Sequence, residues 1–130
     1  MQIAARLGTA FCLAEFLDRD RSILESAAIM SEYREMFKPS LQMPEPRCSI
    51  AIAGICAESD WQAQRLLSAP QPITVVPRAV GSPVTCSRVL SELHKKTAVT
   101  DFVFLDLCQK FSDRVMSHQL LASVLIGANA

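Results

Sequence analysis

The stretch from Asp101 to Leu125 joins a short apolar run directly to a helix-like pattern. The run from Phe102 to Leu107 is rich in β-forming residues and carries one acid, Asp106, so it predicts a buried strand. After a turn, Ser112 or Asp113 can cap a helix whose apolar side chains recur every three or four residues. The predicted buried stripe of that helix is Val115, Met116, Leu120, Leu121, Val124 and Leu125. A buried strand followed at once by a covering helix is half of a parallel βα repeat.

A similar unit lies near the N-terminus. The run from Thr9 to Ala14 predicts a strand. Ser22 can cap the helix that follows, because Glu25 lies three residues further on and completes a capping box. This helix should end before Pro39, since the residue preceding a proline disfavours helical geometry. Upstream of the strand, Met1 to Leu7 predicts the last turns of a helix closed by a glycine.

The third unit occupies the middle of the chain. Ser49 to Ile55 predicts the clearest strand, and Ser59 with Gln62 predicts a capping box at the start of the next helix. A proline-rich segment follows, in which residues 73–76 could pair only as an edge strand. A further helix should begin after Ser82, with proline at its first position.

Successive strand–helix units predict an α/β fold with a parallel sheet, formed by residues 1–130 as a single domain. A chain of 130 residues is large enough for one core. The strands fit a small open sheet, and they fit equally well a slice of a βα barrel, which takes eight strands and about 250 residues. The periodicity leaves both architectures open.

The charge balance argues against polyanionic partners. Basic and acidic residues number 13 each, so no basic excess favours nucleic acid or an anionic membrane. No apolar run approaches the ~18 residues of a membrane span, and the N-terminus lacks a signal-peptide pattern. The five cysteines form no CxxC pair, which predicts reduced, mostly buried thiols in a cytoplasmic protein and disfavours a zinc site.

Acidic residues follow the predicted strands, at the ends where a βα barrel carries its functional groups. They are Glu15, Glu58 and Asp106. Two of them facing one mouth could serve as general acid and base, and Glu15 and Asp106 are the candidate catalytic residues. The alternative, which is the commoner role for such residues, is that they cap helices or lie in solvated loops.

Other reactive side chains have simpler interpretations. Cys56 would need a nearby base to act as a nucleophile, whereas His94 and His118 lie on helices, so a core thiol is favoured. Ser82 at a helix N-terminus could bind a phosphate, but capping is its ordinary role. Four large apolar side chains are predicted to fill the core: Trp61, Met30, Met36 and Met116.

Four segments of the sequence, taken in order, carry a family resemblance. They are residues 3–16 (IAARLGTAFCLAEF), residues 31–40 (SEYREMFKPS), residues 49–66 (SIAIAGICAESDWQAQRL) and residues 80–122. In this order they resemble the C-terminal part of the bacterial luciferase-like flavin monooxygenases. The residues that match the family pattern are Tyr33, Arg34, Phe37, Pro39, Ser40, Gly81, Ser82, Pro83, Asp101, Arg114, Ser117, Leu120, Leu121 and Ala122.

The resemblance implies a partial TIM (β/α)8 barrel, about its last three βα units, from a family that oxidises substrates with reduced flavin mononucleotide (FMN) and molecular oxygen. It also implies that the family's five N-terminal units lie outside this chain, together with the GSS loop that helps to hold the flavin phosphate. Glu15 stands near the place of a family histidine. We therefore expect a truncated piece that is inactive by itself. The alternatives are a non-catalytic α/β remnant that only self-associates and an unrelated small α/β binding domain.

A slice of a barrel also has consequences for association. Three βα units leave two open sheet edges and an inner face without opposing strands, and such surfaces favour pairing with another chain. We therefore expect a homo-oligomer or assembly with a complementary barrel portion.

Overall fold

The computed structural model describes residues 1–68 and 75–127. Helices and strands alternate along the whole described chain. In order, they are α1 (Gln2–Leu7), β1 (Phe11–Ala14), α2 (Ile23–Met36), β2 (Cys48–Cys56), α3 (Asp60–Leu67), β3 (Pro77–Gly81), α4 (Pro83–Thr97), β4 (Asp101–Asp106) and α5 (Phe111–Gly127). All strand pairs are parallel, so the predicted α/β class is confirmed.

The sheet is built around β2. Along one edge of β2 lies β4, paired from Ser49 with Asp101 to Gly54 with Asp106. The first half of β2 also pairs with β1 and the second half with β3. Because β4 already pairs with residues of both halves, β1 and β3 share the opposite edge of β2, one after the other. The sheet is therefore three strand positions wide.

One face of the sheet is covered by α2, α4 and α5. Alternate residues of a strand point to the same face, and on this face Ile50 and Ile52 of β2 lie beside Phe102 and Phe104 of β4. The helices complete the core with Met30, Cys86, Leu90, Leu93 and Leu121. This is the main hydrophobic core of the described chain.

The opposite face is open along its two edges, whereas Ala53 and Ile55 of β2 are buried between them. On β4, Val103 is 54% exposed and Leu105 is 40% exposed, and Cys12 is exposed on β1 at the other edge. Among the described helices, α3 alone packs on this side, where Ala63 joins a small cluster with Ile55 at the C-terminal end of the sheet. The prediction that the last strand is buried is therefore wrong for one of its two faces.

Close packing of β3 against β2 depends on Gly54. A Cβ atom at this position would lie 1.9 Å from the carbonyl oxygen of Ala79, a distance that no side chain tolerates. The register between the strands also shifts between Ala53 and Gly54, which leaves Arg78 as the extra residue of a bulge in β3. Glycine and bulge together bring the short β3 against the end of β2.

The third strand does not lie where the sequence predicts it. Part of the predicted edge strand, residues 73–76, lies outside the described residues, and Val75 and Val76 precede β3 instead of forming it. β3 starts at Pro77. A proline has no N–H to donate, so it is tolerated at the first residue of a strand but not in its interior.

Several residues predicted to lie in the core are exposed. Trp61 is 71% exposed, and its ring lies 5.4 Å from the guanidinium of Arg65 on the outer side of α3. Val115 and Met116 of α5 are also exposed. The buried side of α5 runs instead through Ser117 and Leu121, which are four residues apart and so share a helix face. Met30 is buried as predicted, and Met36 is partly buried.

The helix caps follow the sequence more closely. Ser22 and Glu25 form the predicted capping box at the start of α2. Ser59 caps α3 by accepting the N–H of Gln62. Gly8 closes α1 in the left-handed region, with φ at 65°. Within the described segments, no helix combines the length and the apolar character needed to cross a bilayer.

Candidate functional site

Glu15 lies at the end of β1 and is directed towards the helix layer. Its N–H donates to the carbonyl of Ala51 across the sheet at 2.9 Å, and the residue is only 4% exposed. The hydroxyl of Ser26 on α2 donates to one carboxylate oxygen. The other oxygen lies 4.0 Å from a guanidinium nitrogen of Arg78. The Glu15 carboxylate therefore joins the end of β1 to α2 and to β3.

The side chain of Arg78 holds the loop between β1 and α2 in place through hydrogen bonds. From the bulge in β3, its Nη2 donates to the carbonyl of Asp18 at 3.0 Å and to that of Arg21 at 3.3 Å. The side chains of Asp18 and Arg21 form an ion pair with each other at 3.7 Å. Sequence analysis missed Arg78, although a single charge inside the apolar run VVPRAVG is a signal that it has a buried partner.

A cavity of about 180 Å³ adjoins this cluster. It lies between the β1–α2 loop, the start of α2 and the middle of α4, on the helix-covered side of the sheet. Its lining residues are Glu15, Arg21, Ile23, Arg78, Val89, Glu92 and Leu93. The walls thus combine two carboxylates and two guanidinium groups with three aliphatic side chains.

Asp106 ends β4 and has a different environment. One carboxylate oxygen accepts the N–H of Cys108 at 2.9 Å. The other is buried without a hydrogen-bond partner in the described part of the chain. Because β4 and β1 lie on opposite edges of β2 and Asp106 is level with Gly54, two residues beyond the level of Glu15, the backbones of the two acids are separated by roughly 12 Å. The structure does not bring the two candidate acids together as an acid–base pair.

Glu58, His94 and His118 do not join either carboxylate in a site. All three residues are exposed. The Nδ1 atom of His94 lies 2.9 Å from the Val99 carbonyl at the end of α4. The ring of His118 packs edge-on against Phe104, with 6.0 Å between ring centroids. Among the described residues, no three His, Cys, Asp or Glu side chains are grouped to hold a metal ion.

The buried thiols lack the character of nucleophiles. Burial raises the pKa of Cys56 above its ordinary value, and it raises the pKa of Cys86 and of Cys108 to about 12. A thiol with so high a pKa stays protonated at neutral pH, whereas the thiolate is the reactive form. The interpretation of Cys56 as a core thiol agrees with its 1% exposure.

The backbone of Cys56 is held by Ser117. The N–H at the end of β2 donates to the hydroxyl oxygen of Ser117 at 2.9 Å, and Ser117 is completely buried. This bond joins the central strand to α5. Ser117, on the buried face of α5, therefore supplies the acceptor for a backbone N–H of the sheet.

The N-terminus of α4 is occupied by a carboxylate of the chain itself. Asp60 at the start of α3 accepts the N–H of Ser82 and the hydroxyl of Thr85, both at 2.7 Å. The Ser82 side chain in turn accepts the Thr85 N–H, as an N-cap does. The hydrogen bond from the Ser82 N–H is the main cause that lowers the pKa of Asp60. Capping, and not phosphate binding, is the role that the geometry gives Ser82.

Residues shared with the family pattern hold connections between elements. The hydroxyl of Tyr33 lies 2.7 Å from the Thr9 carbonyl and 3.1 Å from the Arg47 carbonyl, so it ties α2 to the segments that precede β1 and β2. The hydroxyl of Ser40 donates to the Gly8 carbonyl at 2.9 Å. These contacts are structural.

Solved structures share the fold of this chain, although no protein-family model matches the sequence and no curated protein is similar to it. Apo-MsnO8 is 23% identical over 96% of this chain and 47% of its own, with a TM-score of 0.78. The monooxygenase RslO1 from Streptomyces bottropensis is 17% identical over 99% and 44%, with a TM-score of 0.69. The riboflavin lyase RcaE, solved with modified FMN and its substrate riboflavin, is 12% identical over 98% and 40%, with a TM-score of 0.70.

These similarities concern the fold. The described elements correspond to a part of each of the three proteins, and the chain spans less than half the length of any of them. The fold of this chain is therefore one that also occurs within a monooxygenase and within a riboflavin lyase.

Replacing Ser117 by alanine should destabilise the protein. The substitution leaves the buried N–H of Cys56 without an acceptor, which costs about 1–3 kcal/mol of unfolding free energy. The matched control is Ser123→Ala on the same helix, whose exposed hydroxyl bonds only to the Leu120 carbonyl in its own turn; its effect should stay within about 0.5 kcal/mol. Urea unfolding followed by circular dichroism measures both, and equal stabilities of the two variants would contradict this assignment.

The bond between Asp60 and the start of α4 should make stability depend on pH. The folded pKa of Asp60 lies below its ordinary value of 3.8, so its stabilising effect is complete above pH 3.8 and is lost as the pH falls through the folded pKa. Asp60→Asn should therefore be less stable than the wild type at pH 7, because the neutral amide accepts weaker hydrogen bonds than the carboxylate.

The difference between Asp60→Asn and the wild type should shrink below pH 3.8. Asp20→Asn is the control, because it removes the same charge from an exposed position in the β1–α2 loop. Unfolding midpoints at a series of pH values test the prediction. A difference that is independent of pH would contradict it.

Proposed function

We propose that this chain supplies about the last three βα units of a barrel in a luciferase-like flavin-dependent oxidoreductase, which uses reduced FMN and molecular oxygen. The observation that carries the proposal is the shared fold with the monooxygenase RslO1 and with riboflavin lyase, whose structure contains modified FMN. The order of the sequence segments that resemble the family supports the same assignment. The five free cysteines suit the reducing cytoplasm in which we place the protein.

The open face of the sheet is the feature that a barrel slice would have. All of the larger helices lie on one side, while Val103, Leu105 and Cys12 are left exposed on the other. In a barrel, strands from the rest of the cylinder cover the inward-facing side chains. We therefore propose that a complementary barrel portion covers this face, or a second copy of the chain when that portion is absent.

The described residues fit the ring system of FMN better than they fit its phosphate. The C-terminal end of the open face, where Leu105 is 40% exposed, suits the flat ring system of the flavin, because a βα barrel binds its ligands at that end of the strands and apolar walls line most cofactor sites. The N-terminus of α4, where a phosphate could bind, is instead engaged by Asp60. The chain alone thus offers a surface for the ring without this phosphate site, and we propose that it is inactive by itself.

A non-catalytic remnant that only self-associates is the second candidate. It is favoured by the separation of Glu15 from Asp106 and by the contacts that each already makes within the protein. We keep Glu15 and Asp106 as candidate acid–base residues only for the assembled barrel. Flavin binding on the open face distinguishes the two functions.

The isolated chain should self-associate through its open face. Val103→Glu places a charge on that face and should shift the chain towards the monomer, because a charge is costly to bury without a partner. Val84→Glu is the control, since Val84 is 74% exposed on α4, away from the open face. Light scattering coupled to size-exclusion chromatography over a concentration series measures the mass. A monomeric wild type at all concentrations would contradict this proposal.

Weak flavin binding by the isolated chain should be confined to the same face. Titration of ¹⁵N-labelled protein with FMN should shift the backbone amides of Ala53, Ile55 and Leu105 near the strand ends, with a dissociation constant on the order of 1 mM because only part of the site is present. Riboflavin should shift the same amides, since the ring system carries the contact. The Val84→Glu variant should behave as the wild type. Absence of shifts on the open face would favour the non-catalytic alternative.

A further inference from the structure

The cavity beside Glu15 is separate from the open face. Ile23 of α2, with Val89 and Leu93 of α4, forms its aliphatic wall, and these residues belong to the helix layer or pack against its core. A flavin on the open face would lie on the other side of the sheet. A ligand in the cavity would therefore occupy a different site from the proposed flavin contact.

Each of the two arginines that line the cavity has a guanidinium nitrogen without an acceptor. Arg21 Nη1 and Arg78 Nε are buried without a hydrogen-bond partner in the described part of the chain. Buried polar groups are nearly always hydrogen-bonded, so two such donors on residues that line one cavity require an explanation. The side chains of Arg21 and Arg78 remain 18% and 29% exposed, which leaves each of them able to turn towards an acceptor in the cavity.

The acids of the cavity restrict the charge of a ligand. Glu15 is already engaged by Ser26 and Arg78. Glu92 is exposed on α4, and no ion-pair partner for it occurs among the described residues. Its negative charge repels a dianion such as sulfate more strongly than a monocarboxylate. A single carboxylate can pair with the arginines while an apolar tail covers the aliphatic wall.

We propose that this cavity binds a small aliphatic monocarboxylate, with the carboxylate towards Arg21 and Arg78 and the tail against Ile23, Val89 and Leu93. The volume sets the size of the ligand. An apolar cavity of about 150 Å³ holds benzene, so a cavity of about 180 Å³ suits a molecule of roughly six to eight non-hydrogen atoms.

The test uses 4-methylpentanoate as the probe and its neutral analogue 4-methylpentanamide as the matched ligand. Titration of the ¹⁵N-labelled chain at pH 7 should give saturable shifts of the amides of Ile23, Val89 and Leu93 with the carboxylate. The amide should bind about tenfold or more weakly, because its neutral carbonyl forms no ion pair with a guanidinium. Sulfate, a dianion at this pH, should not compete.

Two variants alter the cavity in independent ways. Arg21→Met removes a donor but keeps the backbone carbonyl that Arg78 contacts, and should weaken binding by about tenfold or more. Val89→Trp fills the cavity and should abolish binding. Arg88→Met is the control, because Arg88 is the exposed neighbour of Val89 and does not line the cavity.

Several results would overturn the proposal. They are the absence of saturable shifts, equal affinity for carboxylate and amide, unchanged affinity in Arg21→Met, or shifts confined to the open face around Val103. If the amide spectrum shows that Val89→Trp is not folded, Arg21→Met and the ligand pair still decide. None of these outcomes depends on whether the chain binds flavin.

Discussion

Pairing along both edges of β2 determines where the other elements lie. Within the described chain, β2 alone has neighbours on two sides, and its nine residues are long enough to hold β1 and β3 in succession along one edge. Gly54 permits the close approach of β3, and the N–H of Cys56 reaches Ser117 on α5. The contacts of β2 with strands and helix therefore position both the covered and the open face of the sheet.

The residues that carry the resemblance to the flavin monooxygenases stabilise connections between elements. Tyr33 and Ser40 bind backbone carbonyls of neighbouring segments, Ser82 caps a helix, and Ser117 satisfies a strand end. Contacts of this kind depend on the fold and not on a substrate. The resemblance is therefore stronger evidence for architecture than for chemistry, in line with structural matches of low sequence identity.

Local patterns predicted local structure well. The apolar runs located β1, β2 and β4, and the serine caps located the starts of α2, α3 and α4, because both signals depend on neighbouring residues. The buried sides of helices were less predictable. Trp61 and Met116 are exposed because the partner surface, and not the helix itself, decides which stripe is buried.

The candidate site was the least predictable part. Glu15 was identified from its place after a strand, but its partner Arg78 comes from a bulge 63 positions later in the chain, and a bulge depends on the pairing of two strands. The separation of Glu15 from Asp106 likewise follows from the order of strands in the sheet. Neither the contact of Glu15 with Arg78 nor its separation from Asp106 can be predicted from the residues next to them in the sequence.

The exposure of Cys12 has a practical use. Its side chain lies on the open face of β1, while the sulfur atoms of Cys56, Cys86 and Cys108 lie in buried surroundings. Anything that shields the sheet from solvent must also shield this sulfur from alkylating reagents. Once the label on Cys12 is distinguished from that on the partly buried Cys48, its labelling rate reports whether the open face is covered, and it can be followed in a crude extract without purification of any partner.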